Sequence, residues 1–213
     1  MLLFNRSSFL DIIILIPAIL LALTVHECAH AWMAWKRGDA TAMGMGRVTL
    51  NPFVHLDILG SIVLVLTGFI GWAKPVPVDP RNFDNPKRDM ALVAAAGPLA
   101  NLVTAAFFLG LLLFLDYNFA IVNKVLPIPI QTPLMSFMVR CLIINLAFAF
   151  INLVPLPPLD GFNVISAFLP LNVVMFCLRY RMFFMFALIL FFWQGPFFSI
   201  FNRLIGLVFN FFF

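Results

Sequence analysis

The sequence predicts an all-α polytopic membrane protein of about four to six membrane segments, with a short extended or β region after the first helix. Three observations carry that reading. Of 213 residues, 63% are hydrophobic and 10% charged, where a soluble domain would carry about a quarter charged residues. Apolar runs recur at lengths near the ~20 residues that a helix needs to cross a ~30 Å hydrocarbon core. Between the runs lie clusters of proline and glycine, which end regular structure.

The first apolar run extends from Phe9 to Trp35, with Asp11 near one end, Lys36-Arg37 at the other, and Pro17 able to bend it. It lacks a small-residue cleavage site, so it reads as a retained helix and not a removable leader. Gly38–Leu50 has no helical apolar stripe, and Gly44 and Gly46 disfavour helix; short extended or looped structure is expected there. Asn51-Pro52 then punctuates the chain. Leu56–Trp72 is apolar but marginal in length. Basic residues on both sides, Arg47 before it and Lys74, Arg81, Lys87 and Arg88 after it, favour a re-entrant segment over a span.

Ala73–Asp89 is a polar loop with four prolines, and Asp57, Asp79, Asp84 and Asp89 read as solvated loop acids. Met90–Leu115 is a second span, in which Ala94, Ala95, Ala96, Gly97 and Ala100 permit close helix contact. Asp116–Pro133 is a loop, Leu134–Leu153 a third span, and Pro155, Pro157 and Pro158 end it. Phe168–Arg181 reads as a short polar-flanked segment. Met182–Trp193 and Phe197–Phe213 are apolar and split at Gly195-Pro196, as two short segments or one broken hairpin. A single membrane-embedded domain over 1–213 is expected, with a motif-bearing core at 9–165 and apolar C-terminal segments at 168–213. The net charge of +4 fits the basic bias of cytoplasmic loops and gives no reason to invoke nucleic acid. Cys28, Cys141 and Cys177 form no CxxC pair and read as small core residues.

Chemistry concentrates in one helical turn. Glu27 is the only glutamate in the chain, and it lies between His26 and His30 inside the first apolar run. Residues four apart share a helix face, so the two imidazoles can bind one metal ion, with Glu27 beside them as a base. Ionisable groups are costly in lipid and are functional candidates there. A zinc ion in a catalytic site takes three protein ligands and keeps one position open. Asp160 is the best third ligand: it follows the proline-broken stretch Asn152–Leu159, and irregular backbone survives at membrane depth only where protein or a wet cavity covers it. His55 is the runner-up. Asn101 reads as a residue joining helices.

These residues sit in motifs that resemble the site-2 protease family of intramembrane zinc metalloproteases, in particular its small members without PDZ or CBS domains. The likeness rests on His26-Glu27-Cys28-Ala29-His30, Asn51 through Asp57, Gly71 through Val78, Ala96-Gly97-Pro98-Leu99-Ala100-Asn101, and Asn152 through Gly161. The resemblance implies one Zn2+ held by His26, His30 and Asp160, Glu27 as catalytic base, and Asn152 helping to hold substrate or the developing oxyanion; His55 is a further substrate-side candidate. It implies a substrate that is a transmembrane segment of another membrane protein. It also places the protein in the lipid bilayer of the cytoplasmic membrane of a prokaryote. Lys36-Arg37 on the motif side puts the opening towards the cytoplasm. Thr41–Leu50, if extended, would offer an edge to which an unwound substrate adds. The competing reading is a metal-binding membrane protein without catalysis, such as a transporter or sensor, but the two related halves of a transporter are not visible.

Overall fold

The computed structural model describes residues 9–60, 62, 72–118, 128–193 and 196–212. Among the described residues, three helices are long and apolar enough to cross a membrane: α1 (Phe9–Lys36), and the helices at Pro86–Tyr117 and Ile128–Asn152. Between the first two lie single helical turns, α2 (Thr41–Gly44) and α3 (Pro52–His55), so the long pair are α4 (Pro86–Tyr117) and α5 (Ile128–Asn152). After α5 come α6 (Asp160–Ser166), α7 (Leu171–Arg179), α8 (Arg181–Trp193) and α9 (Pro196–Phe212). The axes of α7 and α8 meet at a 67° bend, and the pair is long enough for a fourth, broken crossing.

The bundle core follows from four-residue spacing. On α1, Ala18, Ala22, His26, His30 and Ala34 are all buried and form one stripe, because every fourth residue lies on nearly the same face. The opposing stripe of α4 carries Val93, Gly97, Asn101, Ala105, Phe108 and Leu112. Met138, Cys141, Leu142, Asn145 and Ala149 close the core from α5. Small residues on α1 and α4 let the backbones approach, which is how helices gain packing energy where lipid already satisfies apolar side chains. On the far side of α5, Ile143 packs on Phe201 and Ile205 of α9. Large apolar side chains such as Val103, Phe107 and Phe183 are exposed, as expected of surfaces that face lipid.

Structure departs from sequence expectation at four places, one of them the start of α5 at Ile128, inside the stretch Asp116–Pro133 expected as loop. Of the extended or looped structure expected over Gly38–Leu50, the extended alternative fails: Thr41–Gly44 is a helical turn and 45–50 a loop, and among the described residues there is no strand, only an isolated antiparallel bridge between Leu56 and Ala73. The Asp39 carboxylate accepts from the Thr41 N–H at 3.0 Å and from the Thr41 hydroxyl, which starts a helical turn despite the glycines. The strand edge expected there for substrate therefore does not exist. Second, α4 begins at Pro86 rather than Met90, because Asn85 caps it by accepting from the Arg88 N–H at 3.3 Å and proline is well suited to the first helical position. Third, Asp89 is thereby drawn into the first turn of α4 and is 1% exposed; it is no solvated loop acid. The spanning or re-entrant question for 56–72 falls largely outside the described residues.

A polar collar closes the Lys36 end of the bundle. The Arg37 guanidinium donates to Asp89 Oδ1 at 2.9 and 2.7 Å, and the Asn85 N–H donates to Asp89 Oδ2 at 3.0 Å. Gly38 turns the chain with φ +109°, a conformation that a side chain would strain. It delivers Asp39 to a fully buried position, where Asn82 Nδ2 and the Asp79 N–H donate to it, each at 2.8 Å. Burial works against the Asp39 charge, but these donors together with those of Thr41 outweigh it and hold the carboxyl below its ordinary range. On the exposed rim the Arg81 side chain lowers the Asp79 pKa to about 2. Arg47 is buried and donates to the Val54 carbonyl at 2.8 Å. His55 is fully buried, with Nε2 donating to the Thr49 carbonyl at 2.9 Å.

Candidate metal centre

His26 and His30 lie six to ten residues from the Lys36 end of α1, which at 1.5 Å per residue is about 9–15 Å inside the bundle. Asp160 reaches them from the other side. The α5 helix stops at Asn152, the turns through Pro155, Pro157 and Pro158 reverse the chain, and Asp160 opens α6. Gly161 makes that reversal possible: a Cβ there would stand 2.4 Å from the Leu153 carbonyl oxygen, so any side chain would push α6 and Asp160 away.

Three atoms converge. His26 Nε2 is 3.0 Å from Asp160 Oδ2, His30 Nε2 is 3.2 Å from it, and the two Nε2 atoms are 3.0 Å apart. The rings meet nearly at right angles, 87° between planes. The tautomers follow from the far side of each ring. His30 Nδ1 is 2.7 Å from the Val93 carbonyl, which can only accept, so Nδ1 carries the proton. His26 Nδ1 is 2.7 Å from Asn101 Oδ1, again an acceptor. In the neutral rings both Nε2 atoms are therefore bare lone pairs. They face each other and a carboxylate oxygen that is buried without a hydrogen-bond donor.

Such a set needs a cation. One added proton would serve Asp160 but leave an unprotonated Nε2 facing carboxylate, and two would set N–H groups against each other at 3.0 Å. Ligands about 2.0–2.2 Å from a tetrahedral zinc stand about 3.3–3.5 Å from one another, close to the separations observed. Nitrogen donors with one carboxylate are a common zinc set. Among the described residues, His26, His30 and Asp160 are the group of side chains that can hold a metal ion; His55 is not brought to it. The space for the rings depends on Gly97, where a Cβ would fall 2.5 Å from His30 Nε2 and 2.7 Å from His26 Cε1. Val93, Gly97 and Asn101, spaced by four on α4, thus meet the His26–His30 pair as one surface.

Glu27 is half-buried and lies within electrostatic range of His26, His30 and Asp160, and of His55. Asn152, at the end of α5, donates from Nδ2 to the Phe148 carbonyl at 3.0 Å. Sequence reading passes over two supports. The Val93 carbonyl leaves no mark in a sequence. Asn145 does: it is a polar residue inside an apolar span, fully buried, and it accepts from Asn101 Nδ2 at 2.8 Å.

A helical membrane bundle with a His-His-Asp donor set and an adjoining glutamate defines the class of membrane metalloproteases. The profile described as Peptidase family M50 matches residues 14–192, and the chain belongs to that family, the site-2 proteases. It is 41% identical over 161 residues to "Putative zinc metalloprotease YwhC" of Bacillus subtilis, covering 75% of this chain and 70% of that one. It is 32% identical over 167 residues to "Putative zinc metalloprotease Rip2" of Mycolicibacterium smegmatis, covering 75% of this chain and 59% of that one. No solved structure matches the chain significantly. The protein is an integral membrane zinc metalloprotease of the site-2 type.

Proposed function

We propose that the protein cleaves peptide bonds in or near transmembrane segments of other membrane proteins, with zinc bound by His26, His30 and Asp160 and Glu27 as the catalytic base. The observation that carries this reading is the convergence of three unpaired donor atoms within 3.2 Å of one another, well inside an apolar bundle. Zinc, when bound, acidifies water towards a pKa of about 7 and polarises a carbonyl oxygen.

The chain's own groups supply the rest. Glu27 takes a proton from the attacking water and passes it to the departing peptide nitrogen. The Nδ1 bonds to Asn101 and Val93 keep both Nε2 lone pairs aimed inward. Asn152 Nδ2 uses one hydrogen on Phe148 and has a second to offer to substrate or to a developing oxyanion. His55, the other substrate-side candidate, is fully buried and donates to the Thr49 carbonyl, so it holds the loop beside α1 rather than touching substrate. An apolar groove of ≈ 270 Å³, lined by Pro17, Leu20, Leu21, Thr24, Leu50 and Pro52, runs along α1 one turn before Glu27 and suits an apolar segment. Lys36, Arg37, Arg47, Lys74, Arg81, Lys87 and Arg88 gather at the motif end of the sequence's spans, which supports an opening towards the cytoplasm of a prokaryotic cell.

Glu27→Gln tests the reading. Cleavage of a co-expressed transmembrane substrate should fall about 10²–10⁴-fold, while the purified variant still holds one zinc per chain. Undiminished cleavage would refute the role of Glu27, and a wild-type protein that binds no zinc would refute the centre itself.

A further inference from the structure

We infer that Asn145, whose hydrogen bonds go to Asn101 and the Cys141 carbonyl and not to a metal ligand, is a positioning residue that sets the tautomer of His26. The inference rests on the zinc centre proposed above.

The argument is one of hydrogen-bond polarity. Asn145 Nδ2 donates to the Cys141 carbonyl at 2.8 Å. A backbone carbonyl only accepts, so this bond fixes which end of the Asn145 amide faces which way. Asn145 Oδ1 is left pointing at Asn101 and accepts from its Nδ2 at 2.8 Å. Asn101 Nδ2 gives its other hydrogen to the Ala22 carbonyl at 3.0 Å. Asn101 Oδ1 must then face His26 Nδ1, 2.7 Å away, and the His26 proton must sit on Nδ1.

Reversing the Asn101 amide would set its oxygen against two acceptors, Ala22 O and Asn145 Oδ1, and would turn an N–H towards His26 Nδ1. The His26 proton would then move to Nε2, the atom that faces Asp160 and His30. Asn101 and Asn145 are both fully buried, so no water competes for these bonds. The polarity runs without a break from the α5 backbone, through two amides, to one lone pair. Ala22 provides a second lock, so removal of Asn145 weakens the chain without abolishing it.

Zinc affinity of detergent-purified protein, read by competition with a chromophoric chelator, tests this independently of proteolysis. Asn145→Leu should weaken zinc binding about five- to tenfold. In an Asn101→Leu background no amide is left to orient and His26 Nδ1 has lost its acceptor, so Asn145→Leu should have no further effect on zinc affinity. Unchanged affinity in Asn145→Leu, or an undiminished loss in the Asn101→Leu background, would overturn the inference. If Asn145→Leu does not fold, Asn145→Ala removes the same acceptor without bulk and carries the same cycle; failure of both to fold marks Asn145 as structural and also overturns it. A wild-type protein with no zinc affinity overturns instead the centre on which the inference rests.

Discussion

The metal centre and the collar both bury charge, and they do so in opposite ways. In the collar every buried carboxylate is answered. Asp39 receives donors from Thr41, Asp79 and Asn82, and Asp89 receives them from Arg37 and Asn85. In the centre, Asp160 Oδ2 and two imidazole lone pairs face one another with no donor between them, although the outer face of each ring is bonded with care. Burial of polar groups alone therefore does not mark a site. Full satisfaction marks architecture, and a converging set of acceptors supported from behind marks a place built for a cation.

The contrast can be broken most sharply at Gly97. A methyl group there would lie 2.5 Å from His30 Nε2, inside the donor set. Gly97→Ala should reduce zinc affinity by about 100-fold or more, the upper end of what ligand supports carry. The thermal midpoint should fall as well, because the methyl group overpacks the α1–α4 contact by more than the helix preference of alanine returns, and the lost zinc no longer stabilises the fold. Metal analysis and thermal unfolding of the same preparation check both halves, and a full complement of zinc would show that the rings have room to spare.

The collar should separate the two readouts. Asp89→Asn leaves the Arg37 guanidinium beside a neutral amide at a buried position. The thermal midpoint should drop by several degrees, with zinc affinity essentially unchanged, since distant and independent sites act additively. A loss of zinc affinity as large as that of Gly97→Ala would mean that the two regions are one unit.

The smallest effect concerns pH. The Asp39 carboxyl is held below its unfolded value of 3.8, so its charge stabilises the fold fully above that value. The contribution is lost as pH falls through the lower folded pKa, where the native carboxylate is finally protonated. Thermal midpoints measured from roughly pH 6 down to 3 should decline at the acid end, and Asp39→Asn should flatten that decline. An unchanged acid slope in the variant would remove Asp39 from the account.

Much of this was open to reading in the chain. Spans were legible because lipid tolerates few charges, and the His26–Glu27–His30 turn because three ionisable groups in an apolar run cannot be incidental. The collar was not. Asp89 reads as a loop acid until Pro86, set at a helix start by Asn85, carries it into α4. Gly38–Leu50 reads as extended or looped, and only the structure shows Asp39 holding Thr41 at the start of a helical turn, with a loop after Gly44.

Periodicity and hydropathy are local properties, and they alone determined the membrane class, the spans and the paired imidazoles. Asp160 could be nominated from the proline-broken stretch before it, with His55 as runner-up, but no local pattern shows that it meets a helix 130 residues earlier. The depth of Asp39 and Asp89, the Val93 carbonyl behind His30 and the Asn145–Asn101 chain behind His26 belong to the tertiary structure. Hydrogen-bond polarity and close approach exist only between segments, once α1, α4 and α5 are set side by side.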